Sequence, residues 1–205
     1  ALRPLLETGY QAILLMRLAV NGFDEEDIHR NFRERCREIL NGLELSKTEL
    51  IQIFGETRDE WIRTDFEDWV NRHRFYPGVI ERMRHRMSRS PLFILTTKQE
   101  RFVHALLESV NLQIQADRVF GLDAAKPKQE TLKKIADTPE FQGETVCFVE
   151  DRLQTLRRVA DIPALKSVKL RFADWGYSTE EDRQAAREDE RIRIWSLQNF
   201  LDETS

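Results

Sequence analysis

Three sets of polar residues follow short apolar segments, and their side chains are of the types that bind a phosphate group. The sets are two threonines, a lysine and two adjacent acids: Thr96 and Thr97, Lys126, and Glu150 and Asp151. Hydroxyl and backbone N–H groups bind phosphate oxygens, a lysine ammonium neutralises their charge, and paired carboxylates hold a divalent cation. These residue types, in this order, predict a phosphate site that works with a metal ion.

Thr96 and Thr97 lie directly after the apolar run 92–95 and before a helix predicted to begin near residue 98. A hydroxyl beside free N–H groups at a helix N-terminus forms an anion site, which the helix dipole strengthens. The alternative interpretation is an ordinary N-cap threonine. Taken alone, the motif leaves both interpretations open.

Lys126 lies in a loop before Pro127, a residue suited to the first position of a helix. A compact ammonium charge on such a loop neutralises a phosphate oxygen. Because Pro127 directs the preceding residue back over the strand ends, we predict that Lys126, rather than Lys128, faces the phosphate. A solvated loop lysine is the alternative, and the neighbouring Lys128 keeps that alternative open.

Glu150 and Asp151 end the strongly apolar run 146–149. Two like charges about 4 Å apart repel by about 4 kcal/mol at an effective dielectric near 20, so a cation is the usual reason to keep both ionised. Magnesium is the expected ion, because it binds one or two carboxylates together with substrate phosphate and several waters. The alternative is that Asp151 is a helix N-cap and Glu150 lies on the surface.

Short apolar runs alternate with helical stretches from about residue 77 onward, a pattern typical of a parallel sheet with crossover helices on both faces. The predicted strands are 92–96, 118–121, 146–149, 168–172 and 191–194. The predicted helices between and after them are 98–109, 127–137, 151–160, 179–188 and 196–202. In such a sheet ligands bind beyond the carboxyl ends of the strands, where the three polar sets are expected.

Residues 1–75 show only helical spacing of apolar residues. Asn21-Gly22 and Asn41-Gly42 predict the ends of the first two helices. The stretch 46–72 is one helix or two, because Gly55 falls inside it. Tyr76-Pro77-Gly78 then predicts a boundary between a helical domain, 1–75, and an α/β domain, 76–205.

The combined motifs resemble the haloacid-dehalogenase-like (HAD) superfamily. Its second, third and fourth motifs correspond here to Leu92-Phe93-Ile94-Leu95-Thr96, Lys126-Pro127 and Phe148-Val149-Glu150-Asp151. Three further segments are similar to the branch of phosphoglycolate phosphatase and β-phosphoglucomutase: Tyr76-Pro77-Gly78-Val79, Thr96-Thr97-Lys98 and Trp175-Gly176-Tyr177. The resemblance covers the whole chain and is strongest from Phe75 to Tyr177.

The resemblance implies a Rossmann-like core with a helical cap and a magnesium-dependent phosphatase that acts on a small phosphate monoester. It implies that Thr96 and Lys126 are catalytic, that Thr97 joins them in binding phosphate, and that Glu150 and Asp151 bind the metal. Substrate identity does not follow from the fold. Four arginines could reach a substrate carboxylate, although we prefer to interpret each of them as part of a solvated helix face: Arg58, Arg63, Arg72 and Arg74.

The first motif of the family, an Asp-x-Asp strand that supplies the nucleophile, has no counterpart in the sequence. The acidic run 24–27 follows a glycine-terminated helix and predicts a helix start, while Asp174 is followed by Trp175-Gly176. We therefore expect the nucleophile strand to lie upstream of Ala1 and the 205-residue chain to have no turnover. A catalytically inactive phosphate-binding or regulatory pseudoenzyme, or a purely structural α/β domain, are the alternatives.

Composition limits the class of protein. The chain has 205 residues, 40% hydrophobic and 33% charged, which predicts a globular fold. A net charge of −4, from 32 basic and 36 acidic residues well mixed along the chain, argues against nucleic acid as a partner. No apolar run approaches a membrane span or a signal peptide, and two cysteines, Cys36 and Cys147, make no disulfide framework, so a cytoplasmic location is expected.

Overall fold

A computed structural model describes residues 2–124 and 126–202 of the chain. The fold is mixed α/β and divides into two compact units. The first unit contains residues 2–80 and 96–123, and the second contains 81–95 and 124–202 apart from residue 125. Segment 96–123, which the sequence assigned to the α/β domain, thus belongs with the N-terminal helices.

The helices and strands follow one another in the predicted order. The helices are α1 (Gln11–Val20), α2 (Glu25–Gly42), α3 (Lys47–Thr64), α4 (Phe66–Asn71), α5 (Val79–Met87), α6 (Glu100–Ser109), α7 (Lys128–Asp137), α8 (Leu153–Ala160), α9 (Glu180–Arg187) and α10 (Leu197–Asp202). The strands are β1 (Ile94–Leu95), β2 (Val119–Phe120), β3 (Cys147–Glu150), β4 (Lys169–Ala173) and β5 (Ile192–Trp195). All five predicted strands are present, whereas α5 was not predicted.

Side-chain caps start the long helices of the first unit. Asp24 accepts the N–H of Asp27 at 2.8 Å, which confirms that the acidic run begins α2. Ser46 and Glu49 form a capping box for α3. The stretch after it is two helices, and the break lies at Asp65, which caps α4, rather than at Gly55.

Two apolar clusters fill the first unit. The larger joins α1, α2 and α3 through buried residues that recur at helical spacing: Tyr10, Leu14, Leu18, Ile28, Phe32, Cys36 and Leu50. The smaller contains Trp69, Phe102 and Leu106 and therefore includes α6. Burying a side chain of this size contributes roughly 1.5–3 kcal/mol, so α6 is part of what stabilises this unit.

The second unit contains a three-stranded parallel sheet in the order β3-β4-β5. Phe148 pairs with Leu170, and Leu170 with Ile192, on the buried face, where α8 contributes Leu156 and Val159. β3 is an edge strand of the sheet that these described residues form.

The opposite face of the sheet carries exposed side chains at Cys147, Lys169 and Arg193. At these positions exposed side chains alternate with buried neighbours, as on a sheet face open to solvent, whereas Ala173 and Trp195, on the same face at the strand ends, are buried. The prediction of cover on both faces therefore does not hold at these three positions. Within the described part of the chain, no helix has the length and apolar character that crossing a bilayer requires.

Cys36 and Cys147 lie in different surroundings, Cys36 buried and Cys147 exposed. Burial raises the pKa of Cys36 to about 11, so only about one molecule in a thousand carries the Cys36 thiolate at pH 8. Cys147 is exposed on β3. We expect iodoacetamide to add one carbamidomethyl group to the native protein, at Cys147, as read from intact mass and peptide mapping.

The control for this labelling is Cys147→Ser, which should stay unlabelled when native and gain one adduct in urea. Labelling of Cys36 in the native protein at the rate of Cys147 would contradict the buried position of Cys36.

Candidate functional site

Glu150, the last residue of β3, is a buried carboxylate in the second unit. It is 7% exposed because it lies on the same face of the strand as Phe148 and pairs in register with Phe172. The Lys128 ammonium contacts Glu150 Oε2 at 2.5 Å, and the Arg152 N–H donates to Oε1 at 3.2 Å. Both carboxylate oxygens therefore have a donor.

The pKa of Glu150 is raised above its ordinary value of 4.5. Burial is the largest cause, and the neighbouring Asp151 carboxyl raises the pKa further. The Lys128 ammonium lowers the pKa but does not cancel the effect of burial. Glu150 is thus a desolvated acid whose ionised form is favoured by Lys128 and disfavoured by burial.

Asp151 is only partly buried and is held by a backbone contact. Its Oδ2 accepts the Tyr177 N–H at 2.9 Å. A Cβ added at Gly176 would lie 2.2 Å from Asp151 Cβ and 2.5 Å from its Oδ2, so only glycine lets this loop approach so closely. The Asp151 carboxyl also lies against the Glu150 carboxyl, whose pKa it raises.

The alternative in which Asp151 caps a helix is wrong. The N-cap of α8 is Arg152, without a side-chain capping bond, and Asp151 instead accepts from Tyr177. Glu150 is buried rather than on the surface. The acid pair is therefore built into the end of β3.

The two lysines near the N-terminus of α7 have different surroundings. Lys126 is exposed, and its proximity lowers the pKa of Lys134. Lys128 is the first residue of α7, and its side chain is 21% exposed. The structure thus brings Lys128 to the acid pair, and a role for Lys126 at a phosphate stays a prediction.

The helical spacing of residues in α7 could have identified Lys128 as the lysine beside the acid pair. The buried residues of α7 are Thr131, Leu132 and Ile135. Lys128 precedes them by three, four and seven positions, which places it on the same helical face. A lysine on a buried helix face requires a partner, and Glu150 is that partner.

Thr96 and Thr97 belong to the first unit, and neither caps a helix. Thr96 Oγ1 accepts the Lys98 N–H at 3.1 Å, which stabilises a local turn. The Thr97 hydroxyl donates to the Glu7 carbonyl at 2.6 Å. The N-cap of α6 is Gln99, so the interpretation of either threonine as an N-cap is wrong.

The N-terminus of α6 already has an acceptor from the chain. The Glu100 N–H donates to Asp123 Oδ2 at 3.1 Å, and Glu100 Oε1 accepts the Gly121 N–H at 2.8 Å. This helix start is therefore occupied by a carboxylate of the protein itself.

The acid pair supplies only some of the ligands that a metal ion needs. Among the described residues, no group of three or more His, Cys, Asp or Glu side chains could hold a metal ion. Glu150 is bound by Lys128 and buried, so the partly exposed Asp151 is the more accessible carboxylate of the pair. Magnesium uses one or two protein carboxylates together with phosphate and water, so the pair fits part of a magnesium site.

The four arginines considered as partners of a substrate carboxylate have different surroundings. Arg63 pairs with Glu60 and Arg72 with Asp68 on exposed helix surfaces, as expected for solvated helix faces. Arg74 is exposed. Arg58 is half-buried, with its guanidinium carbon 3.4 Å from the centroid of the Phe54 ring.

Comparisons of the chain with models of known protein families, with curated proteins and with solved structures find no match. A functional proposal therefore depends on the motifs in the sequence and on the geometry of the acid pair.

Proposed function

We propose that this chain is part of a HAD-type, magnesium-dependent phosphatase that hydrolyses a small phosphate monoester. The observation that carries the proposal is the Glu150-Asp151 pair at the carboxyl end of a parallel strand. Ligands of open parallel sheets bind at that end of the strands. A buried acid with a lysine partner, beside a partly exposed acid, is suited to a divalent cation and a phosphate.

In this proposal Asp151 would hold the magnesium ion, and Glu150 would assist through water. The bound ion supplies positive charge that polarises a phosphoryl oxygen. Lys128 keeps Glu150 ionised and oriented. The loop at Gly176 fixes Asp151 by donating the Tyr177 N–H to its Oδ2.

We propose that the negative charge of the phosphoryl group is stabilised by Thr96, Thr97 and Lys126. Hydroxyl and N–H donors and an ammonium stabilise charge that develops on phosphoryl oxygens during transfer. Thr97 donates its hydroxyl proton to Glu7, so its backbone rather than its side chain is the expected donor.

The nucleophile is proposed to come from an apolar strand that carries Asp-x-Asp. A carboxylate oxygen attacks phosphorus, the ester oxygen leaves with a proton from the second aspartate, and water then hydrolyses the acyl phosphate. β3 supports this proposal because it is an edge strand of the described sheet and has an open edge for a parallel neighbour.

Hydrolysis of para-nitrophenyl phosphate tests the proposal. We expect no turnover from the 205-residue chain and magnesium-dependent turnover from a form extended at its N-terminus by an apolar Asp-x-Asp strand. In the extended form, Asp151→Asn should lower kcat by roughly 100-fold or more, because it removes a metal ligand. Asp161→Asn, at an exposed position at the end of α8, is the matched control and should leave kcat unchanged.

Two outcomes would contradict this assignment. Turnover by the unextended chain that is lost in Asp174→Asn or Asp24→Asn would show that the nucleophile lies within the chain. An inactive extended form that still binds phosphate would favour the pseudoenzyme alternative.

A further inference from the structure

Three basic side chains in the first unit form a partly buried group. They are Arg58 on α3, His73 after α4, and Lys98 before α6. Each is only partly exposed. Among the described residues, none of the three forms a salt bridge with a carboxylate.

Direct packing brings α3 to the segment that carries Lys98. A Cβ added at Gly55 would lie 3.0 Å from the Gln99 amide and 2.7 Å from the Arg101 guanidinium, so α3 and this segment are in close contact. Arg58 follows Gly55 by three residues and therefore lies on the same helical face, one turn further on. Lys98 is the immediate neighbour of Gln99.

Residues of the N-terminal segment contact Thr97 and Phe54, which are neighbours of Lys98 and Arg58. Thr97 donates its hydroxyl proton to the Glu7 carbonyl at 2.6 Å. A Cβ added at Gly9 would lie 2.7 Å from the Phe54 ring, the same ring over which Arg58 lies at 3.4 Å. Arg58 is thus held between helix and loop rather than extended into solvent.

His73 is fixed by its own contacts. Its Nδ1 hydrogen bonds with the Trp69 carbonyl at 2.9 Å, and its ring lies 4.6 Å from the Trp69 ring. Since the carbonyl can only accept, Nδ1 carries a proton and Nε2 is left for another partner.

Unsatisfied buried polar atoms occur around the same group. Thr8 Oγ1, Trp69 Nε1 and Gln99 Oε1 are buried and have no hydrogen-bond partner among the described residues. Trp69 is 0% exposed and Gln99 8%, and the indole N–H can only donate. Buried donors without partners are rare, so the Thr8 hydroxyl and the Trp69 indole N–H point to an acceptor that the described residues do not supply, whereas Gln99 Oε1 can only accept.

The nearby carboxylates of Asp59 and Glu7 pair with other arginines and do not neutralise the three basic side chains. Asp59, next to Arg58 in the chain, forms a two-bond pair with Arg101 at 2.8 Å. Glu7 pairs with Arg33 at 3.2 Å. The positive charge of Arg58 and Lys98 is therefore left for a group from outside the chain, and a bound anion would favour the protonated form of His73.

We propose that Arg58, His73 and Lys98 form a binding site for a small oxyanion, a carboxylate or a phosphate. Guanidinium, imidazolium and ammonium groups all donate charge-assisted hydrogen bonds to such oxygens, and the Thr8 hydroxyl and Trp69 indole add neutral donors. Every residue of this site belongs to the first unit, whereas the acid pair belongs to the second. Because Thr96 and Thr97 of the phosphatase proposal also lie in the first unit, the variants of Arg58, Lys98 and Lys126 below are what separate the two proposals.

Electrostatics support this geometry. Burial lowers the pKa of Lys98 most, and Arg58 and Arg3 lower it further by charge repulsion. Burial also lowers the pKa of His73, with contributions from Lys98 and Arg58, while its bond to Trp69 acts in the opposite direction. A bound anion offsets this repulsion and should raise the pKa of His73.

Isothermal titration of the whole chain with inorganic phosphate and, separately, with malonate tests the site, at constant ionic strength maintained with chloride. We expect Arg58→Gln and Lys98→Gln to weaken binding about tenfold or more, because each removes a charge-assisted bond. Arg58→Lys should retain part of the affinity. Arg63→Gln, on the same helix but paired with Glu60 in solvent, is the matched control and should bind as wild type.

The stronger of the two anions identifies the ligand as phosphate-like or carboxylate-like. A rise in the pKa of His73 at saturation, followed by NMR, is the accompanying result. Equal weakening in Arg63→Gln, or binding of neither anion, would overturn the site. Binding that is lost in Lys126→Gln but kept in Arg58→Gln would overturn it too, and would leave the phosphatase proposal intact.

Discussion

Lys128→Met is expected to lower the free energy of unfolding by about 3 kcal/mol at pH 7 and by less than about 1 kcal/mol at pH 4.5. The substitution leaves Glu150, whose side chain is 5% exposed, without its cation. The buried acid then binds a proton. Taking a carboxyl of ordinary pKa 4.5 to its protonated form at pH 7 costs about 3.4 kcal/mol, which limits the loss.

The direction of the pH dependence follows from the raised pKa of Glu150. A folded state that holds the proton more tightly than the unfolded state is most stable below the unfolded pKa. Its stability falls as pH rises from about 4.5 through the folded pKa, and without Lys128 this fall is larger and extends to higher pH. Urea unfolding of wild type and variant between pH 4.5 and 8 measures how the free energy of unfolding changes with pH.

Two variants separate charge from packing. Lys126→Met, at the exposed lysine two residues earlier, should change stability by no more than about 0.5 kcal/mol. The double variant Lys128→Met/Glu150→Gln should recover most of the loss at pH 7, because the amide carries no charge. An equal loss at both pH values would show that Lys128 acts through packing alone.

Gly176→Ala is expected to lower the free energy of unfolding by about 1–3 kcal/mol, the usual range for an overpacked site, and to weaken magnesium binding. The added methyl group would lie 2.2 Å from Asp151 Cβ, so the loop and the acid must move apart. That movement breaks the bond from the Tyr177 N–H to Asp151 Oδ2. Chemical unfolding and magnesium calorimetry measure the two effects.

Gly42→Ala is the matched control for this substitution. A Cβ at Gly42 meets nothing within 4 Å, and the residue ends α2. The same change there should be neutral or stabilise the protein by up to about 1 kcal/mol. A stable Gly176→Ala protein with unchanged magnesium affinity would show that the loop does not position Asp151.

The parts of the fold that were predictable depend on local patterns. β3 and β4 were located to within one residue at each end, because apolar runs bounded by polar residues define a strand. The short helix α5 was not predicted, since five of its nine residues are charged or histidine and conceal its pattern. The break between α3 and α4 was set by the cap at Asp65, a stronger local signal than the glycine inside α3.

The contacts that shape the acid pair were not predictable from the sequence. Asp151 and Tyr177 are 26 residues apart, and the need for glycine at position 176 arises only when the two segments meet. The same holds for Arg58 and Lys98, whose proximity depends on the packing of α3 against the start of α6. Motifs indicated the residue types of a site, whereas tertiary packing determines which lysine and which arginine lie at the two candidate sites.

The division of the chain into units affects how the protein can be synthesised and folded. Neither unit is continuous: residues 81–95 of the second unit separate the two parts of the first. On the ribosome, the N-terminal helices therefore cannot complete their core until α6, with Phe102 and Leu106, has emerged. Contacts that join such distant segments raise the contact order and slow folding, so a fragment that ends at residue 80 is a poor choice for expression on its own.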